Sequence, residues 1–271
     1  MFMHSALLLT ATVTPGDVIF YDRRDETVRL GDYLHAFRFW LGESHVSRIV
    51  FVENSGFNSA PFTEMMTRYR RDDPKVELIS FVKPKFDAGL GKSYGEAKII
   101  EHALAHSELL RDDPFVVKAT GRYYATNFFK VWPMVVQSKL PDVMASFYVY
   151  PVECDSRYFG ASVTFLRDYF LPQTERINDA EGFYFEHALA AAVVTATEDG
   201  KQYRPWPGGG LLVDGVQAST NTTYEYSRLK RTLYRVVASL RNGVPLRLKL
   251  EAPMCKTWSR EQYVSFLPLF T

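Results

Sequence analysis

The apolar positions fall into a repeating order of short continuous runs and helical stripes. "ALLLTATV" (Ala6–Val13) is a near-continuous apolar run, the mark of a strand buried on both faces. Leu30, Tyr33, Leu34, Phe37 and Leu41 then recur at helical spacing, and Gly42 stands where such a helix ends. "SRIVFVENSG" predicts a second strand, "PFTEMMTRYRRD" a helix and "KVELISFVK" a third strand. A glycine-rich stretch, "GLGKSYGE" (Gly89–Glu96), opens a long helix with Ile99, Ile100, Ala103 and Leu104 apolar, and "PFVVKAT" predicts a fourth strand. Strands alternating with helices over short connections predict an α/β fold with a mainly parallel sheet flanked by helices.

Beyond Arg122 the pattern loosens. "DVMASFYVYPVECDSRYFGASVTFL" predicts one or two strands with a polar break over 153–157. "EGFYFEHALAAAVVTA" predicts a helix, and "WPGGGLLVDG" a glycine-rich loop. "YSRLKRTLYRVVASLR" (Tyr226–Arg241) predicts a basic amphipathic helix. The expected organisation is one domain over 1–223, with a C-terminal helical extension over 224–271.

Composition narrows the classes. The 271 residues are 46% hydrophobic and 23% charged, ordinary for a globular chain, and the net charge of +1 gives no global field for nucleic acid. Two cysteines, Cys154 and Cys255, form neither a metal spacing nor a disulfide framework. No run approaches the ~18 apolar residues of a membrane span, and the first residues lack the basic region of a signal peptide. A cytoplasmic protein is expected. The helix over 226–241 offers peripheral contact with anionic lipid on the inner membrane face, or alternatively a solvated basic face.

Chemistry is expected beyond the carboxyl ends of the strands, where open α/β sheets bind ligands. These ends carry Thr10, then Glu53 and Asn54, then two lysines, then Lys118 and Arg122. Lys118 is the anomaly: a lysine within a buried strand needs an anion or a route to water. Gly91, Lys92 and Ser93 suggest a phosphate loop, but Phe86 stands where a Walker glycine is required. Glycines, a helix N-terminus and Lys92 still suit an anion. Ser93 with Glu96 also fits a capping box.

In order and spacing these segments resemble glycosyltransferases of the GT-A fold. They are similar to bacterial polysaccharide and lipopolysaccharide enzymes carrying "KxTGRY" at the end of the fourth strand. The resemblance spans roughly residues 6–192. It implies a Rossmann-like nucleotide-sugar domain, a nucleotide-sugar donor and a glycan or lipid-linked saccharide acceptor. The family's Asp-x-Asp metal motif is replaced by Lys118-Ala-Thr-Gly-Arg122. Cations then take the place of a divalent metal, and no metal cofactor is expected. On this resemblance Thr10, Glu53, Asn54, Gly91, Lys92, Tyr94, Lys118, Arg122 and Arg157 contact the donor. Asp155 orients the sugar, and Glu186 is the general base. Tyr94, Tyr123 and Trp206 are candidates for stacking. Nucleotidyl transfer, another phosphate-handling enzyme, or non-catalytic glycan binding are the alternatives.

Overall fold

The computed structural model describes residues 5–223, apart from 18, 20–21, 44, 70–74, 113, 137–138, 150, 208–209, 218–220 and 222. The expected helix over 226–241 and the whole extension 224–271 lie outside the described residues. The first half follows the predicted alternation: β1 (Ser5–Ala11), α1 (Glu26–Gly42), β2 (Arg48–Glu53), α2 (Ala60–Tyr69), β3 (Lys75–Ser80), α3 (Gly91–His106) and β4 (Phe115–Thr120). Asp25 caps α1 by accepting from the Val28 N–H at 2.8 Å.

The second half contains shorter pieces: β5 (Tyr123–Ala125), α4 (Phe128–Val136), β6 (Val143–Met144), β7 (Phe147–Val149), β8 (Glu153–Cys154) and β9 (Tyr158–Ser162). Then come α5 (Val163–Phe165), α6 (Leu171–Thr174), α7 (Phe185–Glu198), β10 (Tyr203–Arg204) and β11 (Val213–Gly215). The stretch expected to hold one or two strands holds four, because β6 and β8 have two residues each and β7 three, too few to display a period. The glycine-rich loop near residue 210 leads into β11, which pairs antiparallel with β5.

The main sheet has seven strands in the order β10-β6-β9-β4-β1-β2-β3. β1, β2, β3 and β4 run parallel, as predicted. β9 is the exception, antiparallel to both β4 and β6. Its reversal carries residues 155–157, which precede it, to the same sheet edge as the carboxyl end of β4. Among the described residues no helix is long and apolar enough to cross a membrane.

Both faces of the sheet are covered, which explains the continuous apolar runs. Side chains alternate across a strand. Leu8 and Val116 therefore enter a core shared with Ala97, Ile99, Ile100 and Ala103 of α3. Leu7, Leu9, Phe115 and Val117 enter a second core with Tyr33, Phe37 and Trp40 of α1. By the same alternation Lys118 shares the face of Val116, and so points under α3.

Candidate active site

The order β2-β1-β4 makes the β1/β4 boundary the switch point of the sheet, where a crevice opens. Gly121 brings the two strand ends together. Its N–H donates to the Thr10 carbonyl at 2.8 Å, and a Cβ added there would lie 2.8 Å from that oxygen. A cavity of about 110 Å³ sits over this junction. Its wall comes from β1, α1, α3, the end of β4, the residues just before β9 and the first turn of α7.

Lys118 meets its anion within the protein. Its side chain is fully buried, and its ammonium donates to Glu96 Oε1 at 2.6 Å, the Ser156 carbonyl at 2.7 Å and Thr120 Oγ1 at 3.2 Å. The hydroxyls of Thr10 and Thr120 donate to the same Glu96 oxygen at 2.9 and 3.1 Å. Burial pushes the Glu96 carboxyl up, but the charge and hydrogen bond of Lys118 and the hydrogen bond from Thr10 outweigh it. The net direction is below the usual carboxylate range. Lys118 is therefore not a wall of the cavity, and its expected contact with a diphosphate is corrected to an internal ion pair.

Glu96 was readable as more than a cap. Glu96, Ile99, Ile100 and Ala103 are spaced i, i+3, i+4 and i+7, so the carboxylate lies in the apolar stripe of α3. A lone acid in one apolar face and a lone lysine in the facing strand are each other's natural partner. The capping-box reading is corrected as well, because Leu90 stands at the N-cap and makes no side-chain cap bond.

The N-terminus of α3 also holds an internal anion. Asp179, 1% exposed, accepts from the Ser93 N–H at 3.2 Å through Oδ2. Gly91 makes room for it: φ is +73°, and a Cβ there would lie 2.1 Å from Asp179 Oδ2. Gly91 thus admits a protein carboxylate rather than a ligand phosphate. Burial raises the Asp179 carboxyl despite the donors of Ser93 and the nearby Lys92.

The cavity brings together Thr10, Lys92, Arg122, Arg157 and Glu186 of the sequence candidates. Arg122 donates through Nε to the Val216 carbonyl at 3.0 Å, and its guanidinium lies over Tyr123, itself part of the wall. Arg157 is aimed by Asp155, which accepts from its Nε and Nη2 at 2.9 and 2.7 Å. Asp155 has no exposure and both its oxygens are engaged, so its direct role with sugar is corrected to that of positioning Arg157. Glu186 accepts a short hydrogen bond from the Ser156 hydroxyl. Burial pushes its carboxyl above the usual range, eased by the Ser156 hydroxyl, and the negative charge of Glu96 adds to the rise.

The remaining candidates lie outside the wall. Glu53 is buried and accepts from the N–H groups of Val13, Ser55 and Phe57 at 2.9–3.0 Å, tying two loops together. Asn54 is fully buried, donating to the Gly95 carbonyl at 3.1 Å and accepting from Thr12 Oγ1 at 2.7 Å. Both hold loops where donor contact was expected. Tyr94 packs edge-on against Phe86 under Lys98. Trp206 is 2% exposed in the core beside Tyr158, which removes it from any stacking role. Sequence reasoning missed Ser156 and Gln217 on the wall, since polar residues in loops carry no periodic signal, and it read Tyr33 and Thr120 only as parts of a helix stripe and a strand.

Among the described residues no three His, Cys, Asp or Glu side chains gather as a metal site. No protein-family model and no curated protein sequence matches the chain. Solved structures with a similar course of chain include a protein assigned as a nucleotide-diphospho-sugar transferase from Desulfovibrio desulfuricans G20. It shares 10% identity over 75% of this chain and 79% of its own, at a TM-score of 0.45. A cytidylyltransferase from Leptospira borgpetersenii shares 11% identity over 90% and 98%, at a TM-score of 0.43. The glycosyltransferase GlyE of Streptococcus pneumoniae TIGR4 shares 9% over 77% of this chain and 46% of its own, at 0.46.

Proposed function

We propose that the protein is a glycosyltransferase that moves a sugar from a nucleotide-sugar donor to a glycan or lipid-linked acceptor, as in bacterial surface polysaccharide synthesis, without a divalent metal. The observation that carries this reading is the joint presence of Lys92, Arg122 and Glu186 on one small cavity at the β1/β4 switch point. The two cations suit the donor's diphosphate and stabilise the charge that develops on it as the glycosidic bond breaks. Glu186 suits the acceptor hydroxyl. It takes the proton as the acceptor oxygen bonds to the anomeric carbon and the bonding electron pair leaves with the phosphate. Burial of Glu186 favours its neutral form, which makes its anion the stronger base.

A thermal-shift panel of UDP-, GDP-, dTDP- and CMP-sugars, with and without chelator, tests the donor class. The expected result is stabilisation by one nucleotide series, followed by chelator-resistant transfer. Glu186→Gln should keep donor binding and lose transfer by about a hundredfold or more. In the wild type the rate should rise with pH through an ionisation above the usual carboxylate range. Strict dependence on magnesium or manganese removes the metal-free mechanism. Release of diphosphate from a nucleoside triphosphate and a sugar phosphate would reassign the chain to nucleotidyl transfer.

A further inference from the structure

Two carboxylates line the cavity, and the mechanism above uses only Glu186. Glu96 is fixed through one oxygen: Thr10, Lys118 and Thr120 all donate to Oε1. Its Oε2 accepts no hydrogen bond from the described residues, and the side chain keeps 23% exposure on the cavity wall. Three donors on one oxygen demand an acceptor and hold the group as an anion. The ammonium bonded to it is out of a ligand's reach, because Lys118 is fully buried with its other bonds to Ser156 and Thr120; Arg122, whose charge also acts on Glu96 from the wall, is assigned to the diphosphate. A ligand group at this wall therefore meets the open oxygen of a fixed anion and not the lysine behind it.

The position of that anion matters for the reacting end of a ligand. The Ser156 carbonyl accepts from Lys118, and the Ser156 hydroxyl donates to Glu186. One residue thus couples the support of Glu96 to the carboxylate assigned as base. An open carboxylate oxygen accepts hydrogen bonds and offers none. It rewards a hydroxyl or an ammonium and opposes a second carboxylate.

We propose that Glu96 selects the transferred sugar by charge, its open Oε2 accepting a hydroxyl or ammonium of the glycosyl group and disfavouring a sugar acid. This selection rests on the nucleotide-sugar reading given above. The test compares matched donors that differ only in a hydroxymethyl or carboxylate group, UDP-glucose with UDP-glucuronate and GDP-mannose with GDP-mannuronate. Binding is measured calorimetrically on the full chain and on Glu96→Gln. In the wild type the neutral donor should bind about tenfold tighter or more, as expected for a like-charge contact at a ligand site. In Glu96→Gln the donors of Thr10, Lys118 and Thr120 claim the amide oxygen and turn an uncharged N–H group toward the ligand, so the preference should shrink to about twofold or invert. Equal wild-type affinity within a pair overturns the proposal, and so does a preference undiminished in the variant. Should the variant fail to fold, the wild-type ratio decides. Binding of neither sugar nor any other nucleotide sugar overturns the donor reading itself, whereas binding without charge preference overturns only the role of Glu96.

Discussion

The pair Glu96–Lys118 is asymmetric, and that asymmetry predicts which half costs more to remove. Lys118 is wholly sealed, while the Glu96 side chain is 23% exposed to the cavity. At the 2.6 Å separation the gross attraction is about 6 kcal/mol for an effective dielectric near 20, most of it offset by the cost of taking both charges from water. Glu96→Leu strands an ammonium with no path to water and leaves two threonine hydroxyls without their acceptor. The expected loss is about 3–5 kcal/mol, typical of an uncompensated buried charge. Lys118→Met keeps the side-chain length and leaves a carboxylate that still reaches the cavity and both hydroxyls. Its expected loss is about 1–3 kcal/mol, mostly the orphaned Ser156 carbonyl and the unpaired acid. The double variant removes both charges, so it should cost about as much as Lys118→Met alone, a coupling of about 3–5 kcal/mol, equal to the whole Glu96→Leu loss. Urea unfolding followed by the fluorescence of the buried Trp40, Trp132 and Trp206 measures all three. Lys118→Met as the costlier single change, or two losses that add to within about 0.5 kcal/mol, would refute the asymmetry.

Two further outcomes follow from the same geometry. Gly91→Ala places a Cβ 2.1 Å from Asp179 Oδ2 at a φ of +73°, so it should destabilise by roughly 3 kcal/mol, or about 6–12 °C in Tm by calorimetry. An unchanged Tm would show that Asp179 does not sit under α3. His187 accepts from the Tyr184 N–H at 3.0 Å through Nδ1, and burial holds its imidazole down to about 4. The native state thus binds fewer protons than the unfolded chain between about pH 6.5 and pH 4, and stability falls as pH drops through that window, by up to about 3 kcal/mol. His187→Gln should flatten that part of the pH–stability curve; an equally steep fall in the variant would clear His187 of the effect.

The parallel half was legible because burial on both faces writes itself into the chain as unbroken apolar runs. The second half was not. β6, β8 and β10 have two residues each, too few for a period, and α4 carries Pro133 in its interior and so did not read as a helix. The anomaly of Lys118 was visible, but its partner was sought in a ligand. The answer lay in the apolar stripe of α3, where Glu96 occupies a core position. Glycine and a helix start at residue 91 looked like a phosphate site for a similar reason: sequence shows an anion-binding shape without showing that Asp179, 88 positions later, already fills it. Glu53, Asn54 and Asp155 were likewise polar residues at strand ends that secure loops or neighbours rather than face the crevice.

The single reversed strand has a consequence for how this site can change. Residues 118–120 and 157–159 are joined by a ladder, and the Thr120 N–H donates to the Arg157 carbonyl at 3.0 Å. Two stretches of wall with distant places in the chain are therefore one mechanical piece. An insertion in either must displace the other and the sheet beneath. Gln217 and the first turn of α7 reach the cavity from outside that ladder. Variation in what the protein accepts should accumulate around Gln217 and beside, not at, Glu186, where a new side chain or a longer loop leaves the shared frame untouched.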